Sequence, residues 1–269
     1  MYTLSDDIRY TLEHITNWDA VHTNCLWCAL LRRETNPGSL KTVHALLVGV
    51  NDETLTGPAR DVYRVNSHLQ KHCDIYNTTL LINQKATKAN ILRNFQDLVN
   101  NLKENDTGIF HFSGHGTSIV NDDLASDDGK DEVILSHDLQ FIRDDQIFSL
   151  LQQVPTSCKM ILIFDNCSSA TMADIPRVFW LNKHRELQQR NANDNTIAAK
   201  VIVISASGDG ENAYELGGTG VLTSALMKSL LPGRSILETL KMCDTLCRPV
   251  GQVVHISLSS NVGIQHPLM

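Results

Sequence analysis

The sequence predicts an α/β protein with a mostly parallel, six-stranded central sheet flanked by helices on both faces. Three observations carry that expectation. Short β-rich runs alternate with helical patterns, the signature of βαβ units. The runs are continuously apolar rather than alternating, which marks strands covered on both sides. The chain has 269 residues, 42% of them hydrophobic, and no internal repeat, so it supplies the core of one large domain.

In chain order, residues 1–40 read as an N-terminal helical extension of one or two helices, closed by the turn "NPGS". Residues 41–269 form the main domain. Its first strand is "HALLVGV" (44–50), followed by a helix over "ARDVYRVNSHLQKH", a strand "TTLLIN" (78–83), a helix from about Thr87 to Lys103 and a strand "GIFHF" (108–112). Beyond an acidic loop, a helix at "DDQIFSLLQQ" leads to "KMILIF" (159–164). The polar stretch "LNKHRELQQRNANDN" (181–195) reads as a surface helix or a mobile linker. After it come "KVIVIS" (200–205), a helix from about Thr219 to Leu230, and a last strand in "VVHISLS" (253–259).

Composition narrows the function classes. A net charge of −7 argues against a nucleic-acid binder and favours cationic substrates. The first residues carry acids and no apolar signal core, and no window approaches a membrane span, so neither secretion nor membrane insertion is expected. Seven cysteines cannot all pair, and several lie in apolar or helical contexts, which points to a reducing compartment, by default the cytoplasm. Cys25 and Cys28, with Cys243 and Cys247, have spacings open to zinc, but both pairs lie in apolar helical patterns, where core packing is favoured.

Two strands end in reactive side chains. "GIFHF" runs into Ser113-Gly114-His115-Gly116, and "KMILIF" runs into Asp165-Asn166-Cys167. In open parallel sheets, chemistry collects beyond the carboxyl ends of the strands. A single crossover separates these two strands, so they can be sheet neighbours about 4.8 Å apart. A nearby imidazole and a helix N-terminus both favour the thiolate, the form that attacks a carbonyl; the residues "SSATM" after Cys167 are read as opening such a helix. The amides of Gly116 and Cys167 are placed to hold a developing oxyanion. A phosphatase loop would need Arg where this chain has Ala173, and phosphate-cradling glycines that it lacks.

The pair "HFSGHG" and "ILIFDNCSSA" resembles the motifs of the caspase-like cysteine peptidases, and within them the metacaspases, over roughly residues 43–260. The resemblance implies a caspase-like sandwich with a large-subunit-like part to about residue 176, a linker over about 177–199 and a small-subunit-like part over 200–269. It also implies that His115 is the general base and acid and Cys167 the nucleophile. Cleavage after Arg or Lys would follow from an acidic pocket of Asp61 and Asp165, with Ser205 a further substrate-binding candidate. Two carboxylates in a desolvated slot suit guanidinium or ammonium.

The loop from Asn121 to Asp145 holds nine acids, a donor set suited to the roughly six to eight oxygen ligands of calcium. By resemblance, the calcium ligands are Asp131, Asp144, Asp145 and Asp174, with calcium as an activator. Lys183, Arg185 and Arg190 mark the linker for self-cleavage between about 177 and 200. The usual H-S-G after the nucleophile is Ser168-Ser169-Ala170 here. Two alternatives follow: a catalytically impaired caspase-fold scaffold, or a calcium-independent, Arg-directed peptidase of the paracaspase type. The partners expected are polypeptides, with no nucleic acid and no membrane, and the resemblance implies a monomer.

Overall fold

Strands that are apolar on both faces must be covered twice, and the chain covers them by laying helices on each side of one sheet. A computed structural model describes residues 42–72, 75–120, 130–229 and 234–265. The N-terminal extension, Cys25, Cys28, Cys73 and the acidic residues 121–129 lie outside the described residues. The first half contains β1 (Val43–Gly49), α1 (Pro58–His72), β2 (Ile75–Ile82), α2 (Lys88–Asn101) and β3 (Thr107–Ser113). A meander of β4 (Gly116–Val120), β5 (Lys130–Leu135) and β6 (Phe141–Arg143) then leads into α3 (Asp144–Leu151) and β7 (Lys159–Asp165). The second half contains β8 (Arg177–Leu181), β9 (Leu187–Asn191), β10 (Lys200–Ser205), the two-residue strands β11 (Glu215–Leu216) and β12 (Thr219–Gly220), α4 (Val221–Ser229), α5 (Ile236–Cys247) and β13 (His255–Leu258).

The main sheet has the order β2-β1-β3-β7-β10-β13-β8-β9. Pairing is parallel from β2 through β10 and antiparallel across β13, β8 and β9. Successive side chains point to opposite faces. Val43, Ala45, Leu47 and Ile109 therefore enter one core with α1, α4 and α5, while Leu46, Val48, Phe110 and Phe112 enter the other with α2 and α3. Helix α2 starts at Thr87, whose side chain caps the backbone N–H of Asn90, and it buries Ile91, Phe95, Leu98 and Val99. The Phe95 ring stacks on Phe110 with centroids 4.7 Å apart. Truncating so well packed an aromatic costs about 3–5 kcal/mol.

All six expected strands are present, in an α/β sheet with helices on both faces, but the sheet has eight strands. The two additions, β8 and β9, come from the region read as a surface helix or mobile linker. It forms a hairpin whose first strand is sandwiched between β13 and β9. Its sequence hides this, because β9 (LQQRN) is an outer strand with polar side chains and no apolar alternation. The crossover from β3 to β7 also holds more than a helix, since it contains the three-stranded sheet β4-β5-β6. No helix opens after Cys167. Residues 166–176 form turns, with Ser168 and Asp174 both at φ 49°, off the helical path. Cys243 and Cys247 are buried core thiols on α5. Among the described residues, no helix is long and apolar enough to cross a membrane.

Candidate active site

The register of β3 against β7 sets Ser113 opposite Asp165. Two residues further along each chain stand His115 and Cys167, so both emerge at the carboxyl edge of adjacent strands. Gly116 closes the gap between the two segments. A Cβ there would lie 2.1 Å from Asn166 Nδ2 and 2.6 Å from the Cys167 carbonyl oxygen, so only glycine lets the histidine strand pack against the cysteine loop. Cys167 is a free, partly exposed thiol. Its sulfur accepts from the Ala213 N–H at 3.3 Å. The next residue, Ser168, is held in the left-handed region by its N–H, which donates to the Glu211 carbonyl, and by its Oγ, which accepts from the Gly210 N–H. Backbone held in a sparsely populated conformation beside a reactive group is characteristic of functional sites. Without a helix after Cys167, the polarising groups nearest the sulfur are loop amides, not a helix dipole.

His115 is oriented from the other side. Its Nε2 lies 2.7 Å from Asp52 Oδ2 and 3.4 Å from Thr54 Oγ1, in the loop between β1 and α1. Burial works against ionisation of Asp52, but hydrogen bonds from Thr54 and Leu55 and the adjacent His115 outweigh it and hold the carboxyl at about 2.

The strand alternation that sends Ile109 into the α1 face sends Ser113 there too, and Asp165 joins it by register. Asp61, in the first turn of α1, meets them. Its Oδ2 accepts from Ser113 Oγ at 2.8 Å and from the Gly220 N–H at 2.9 Å. Asp165 Oδ2 accepts from the Thr223 N–H at 2.7 Å. A Cβ on Gly220 would lie 2.1 Å from Asp165 Oδ2 and 2.9 Å from Asp61 Oδ2, so the two carboxylates converge on the backbone of Gly220. Both are buried. Burial, reinforced by the charge of Asp165, pushes the Asp61 carboxyl up, and burial likewise raises Asp165 against its hydrogen bonds from Thr223 and Leu222. Below them, the neutral His111, whose imidazole burial pushes down to about 3, contacts Thr223 Oγ1 at 3.1 Å through Nε2.

Ser205 is fully buried, like Asp61, and its Oγ donates to the Ser169 carbonyl at 2.8 Å, so it braces the cysteine loop. Three contributors escaped the sequence reading: Asp52, Ser113 and Glu215. Glu215 accepts from the N–H groups of Thr56 and Gly57, at 3.0 and 2.7 Å, tying the β11–β12 hairpin to the start of α1. Ser113 was visible as a strand-end residue of the "SGHG" motif. Asp52 and Glu215 lie in polar loops and are linked to the site only through tertiary contact.

The acidic residues gather at a second place. Carboxylate oxygens of Asp131, Asp144 and Asp145 lie within 4.8 Å of one another. Asp144, buried, is pushed up to about 8, first by burial and then by the charge of Asp174, which acts on the locus but stands outside the close group of three. Asp131 also pairs with Arg143 at 3.0 Å. The locus touches the cysteine loop through Glu132: its N–H donates to Asp144 Oδ2 at 2.9 Å, and its Oε2 accepts from Thr171 Oγ1 at 2.8 Å.

Residues 43–176 match the metacaspase, peptidase C14 domain. Metacaspase-1 of Meyerozyma guilliermondii is 33% identical over 151 residues, covering 50% of this chain and 37% of that protein. Metacaspase-1B of Aspergillus fumigatus is 29% identical over 217 residues, covering 75% and 52%. The matches thus span from about a third to about half the length of these curated relatives. In structure, protein GSU0716 of Geobacter sulfurreducens superimposes with a TM-score of 0.64 at 17% identity, over 83% of this chain and 95% of that one, a likeness of fold.

Proposed function

The chain belongs to the metacaspase family through residues 43–176, and on that premise we propose that it is a calcium-activated cysteine endopeptidase cutting after Arg or Lys. The observation that carries this reading is the pair Asp61 and Asp165, two buried carboxylates converging beside the strand ends of His115 and Cys167. A site that holds two like charges out of water is disfavoured on its own and relieved by a cation. An arginine side chain would supply that cation with paired hydrogen-bond donors.

In this reading the Cys167 thiolate attacks the carbonyl carbon after the basic residue, forming a carbon–sulfur bond and an oxyanion that the amides of Gly116 and Cys167 stabilise. His115, carrying the thiol's proton, delivers it to the leaving amine as the carbon–nitrogen bond breaks. His115 then removes a proton from water, which attacks the thioester and releases the acid and the thiol.

The hard-oxygen set of Asp131, Asp144, Asp145 and Asp174 suits calcium, whose charge would offset the mutual repulsion that raises Asp144. Bound there, calcium would fix the Glu132–Thr171 contact and with it the loop that follows Cys167. Self-cleavage would fall in the 177–200 region, best in the hairpin turn between β8 and β9, where Lys183 and Arg185 are exposed. We place the chain as a monomer working in the cytoplasm.

The test is hydrolysis of fluorogenic peptides ending in Arg, Lys or Asp, titrated with calcium. Arg and Lys peptides should be cut in calcium and Asp peptides not at all, with Cys167→Ala inactive. Hydrolysis by Cys167→Ala would overturn the nucleophile, and full activity in chelator would favour the calcium-independent alternative. Mass spectrometry of protein incubated in calcium should show chains ending at Lys183 or Arg185; an intact chain would refute self-cleavage.

A further inference from the structure

We propose that Asp52 is a positioning residue for His115, fixing the tautomer and rotation of its ring so that Nδ1 is the nitrogen that exchanges the proton with Cys167; this rests on the peptidase reading above. Both polar contacts of the ring among the described residues, to Asp52 Oδ2 at 2.7 Å and Thr54 Oγ1 at 3.4 Å, fall on Nε2. A carboxylate can only accept, so Nε2 carries a hydrogen and the neutral ring's lone pair lies on Nδ1.

The carboxylate is itself immobilised. Its other oxygen, Oδ1, accepts from Thr54 N–H at 2.7 Å, Thr54 Oγ1 at 2.8 Å and Leu55 N–H at 2.8 Å. With Oδ1 saturated, Oδ2 is left directed at the imidazole. The loop is anchored at both ends: Asn51 N–H donates to Asn83 Oδ1 at 2.9 Å, and Asn51 Oδ1 accepts from the Ala59 N–H at 2.8 Å. Hydrogen bonding that keeps Asp52 ionised across the working pH range adds support. Between two fifths and a half of each side chain is exposed, 42% for His115 and 46% for Asp52, so the contact contributes through orientation more than through screened charge.

Asp52→Asn is the discriminating variant. Its amide oxygen can keep the Thr54 and Leu55 donors, so the loop folds, while its NH₂ faces Nε2 as a donor and drives the ring to the opposite tautomer. With 15N-labelled histidine, wild-type His115 should show the Nε2–H tautomer in the neutral ring and Asp52→Asn should show a shift toward Nδ1–H. On Arg peptides kcat should fall at least about tenfold with KM little changed, and Asp52→Glu should recover part of the loss. An unchanged tautomer in Asp52→Asn, or a variant faster than wild type, would overturn the assignment, the latter because the contact would then be a restraint on His115. A wild type that cuts no peptide but still switches tautomer on substitution would support the Asp52 contact while sinking the peptidase reading.

Discussion

Replacing Asp61 with Asn should make the protein more stable at alkaline pH while weakening its grip on basic substrates. The Asp61 and Asp165 oxygens lie 2.9 and 2.1 Å from a single point, the Cβ position of Gly220. They are thus within about 5 Å of each other, where two full charges at an effective dielectric constant of about 20 repel by about 3 kcal/mol. Asparagine keeps an acceptor for Ser113 Oγ and the Gly220 N–H and can turn its NH₂ toward Asp165, so the change removes repulsion without an unpaired buried group. The pH dependence follows from the raised carboxyls. The folded pair holds protons more tightly than the unfolded chain, so its stabilising effect is complete below the ordinary aspartate range and is lost as pH rises through the raised folded values. Thermal melts from pH 5 to pH 8 should show wild type losing stability across that window and Asp61→Asn losing less. At pH 8 the variant should melt about 5–10 °C higher. A small guanidinium compound should raise the wild-type Tm and leave the variant's unmoved. A variant less stable than wild type at pH 8 would refute the repulsion argument.

Gly116→Ala should cost about 1–3 kcal/mol and most of the activity, because the new methyl would collide with Asn166 and the Cys167 carbonyl; a fully active, equally stable variant, checked by melting and peptide hydrolysis, would deny that packing. Calcium at about ten times its dissociation constant should stabilise the chain by about 1.4 kcal/mol, read as a Tm rise of a few degrees that chelator reverses and Asp144→Asn abolishes. Persistence of the rise in Asp144→Asn would move the ion elsewhere.

The reactive strand ends were legible because two simple regularities coincide there: continuous apolar runs locate buried parallel strands, and polar side chains just beyond them stand at the carboxyl edge. That reasoning singled out His115, Asp165 and Cys167, whereas Asp61, on a helix, entered only through the resemblance, and Ser205, which stands at a strand end too, is covered by the cysteine loop whose carbonyl it holds. Asp52 was beyond reach, since "NDET" has no periodicity and its link to His115 crosses sixty-three positions. The expected helix after Cys167 failed for a local reason. Left-handed Ser168 and Asp174 turn the chain, and Ser168 bonds to the 210–211 segment in place of a helical partner. The β8–β9 hairpin failed for a global one, as its edge position asks for polar side chains that mimic a loop.

The place of that hairpin sets the molecularity of anything that follows a cut within its turn. Ahead of the turn lie β1 to β8 and behind it β9 to β13, yet across the sheet the two sets interleave: β8 of the leading piece is wedged between β13 and β9 of the trailing one, and β7 lies against β10. Scission would therefore release no fragment. Native mass would change only by one water, and separation would require three ladders to open together. The difference would emerge on refolding, where an intact chain closes on itself at a rate independent of dilution and a nicked one must first find its other half.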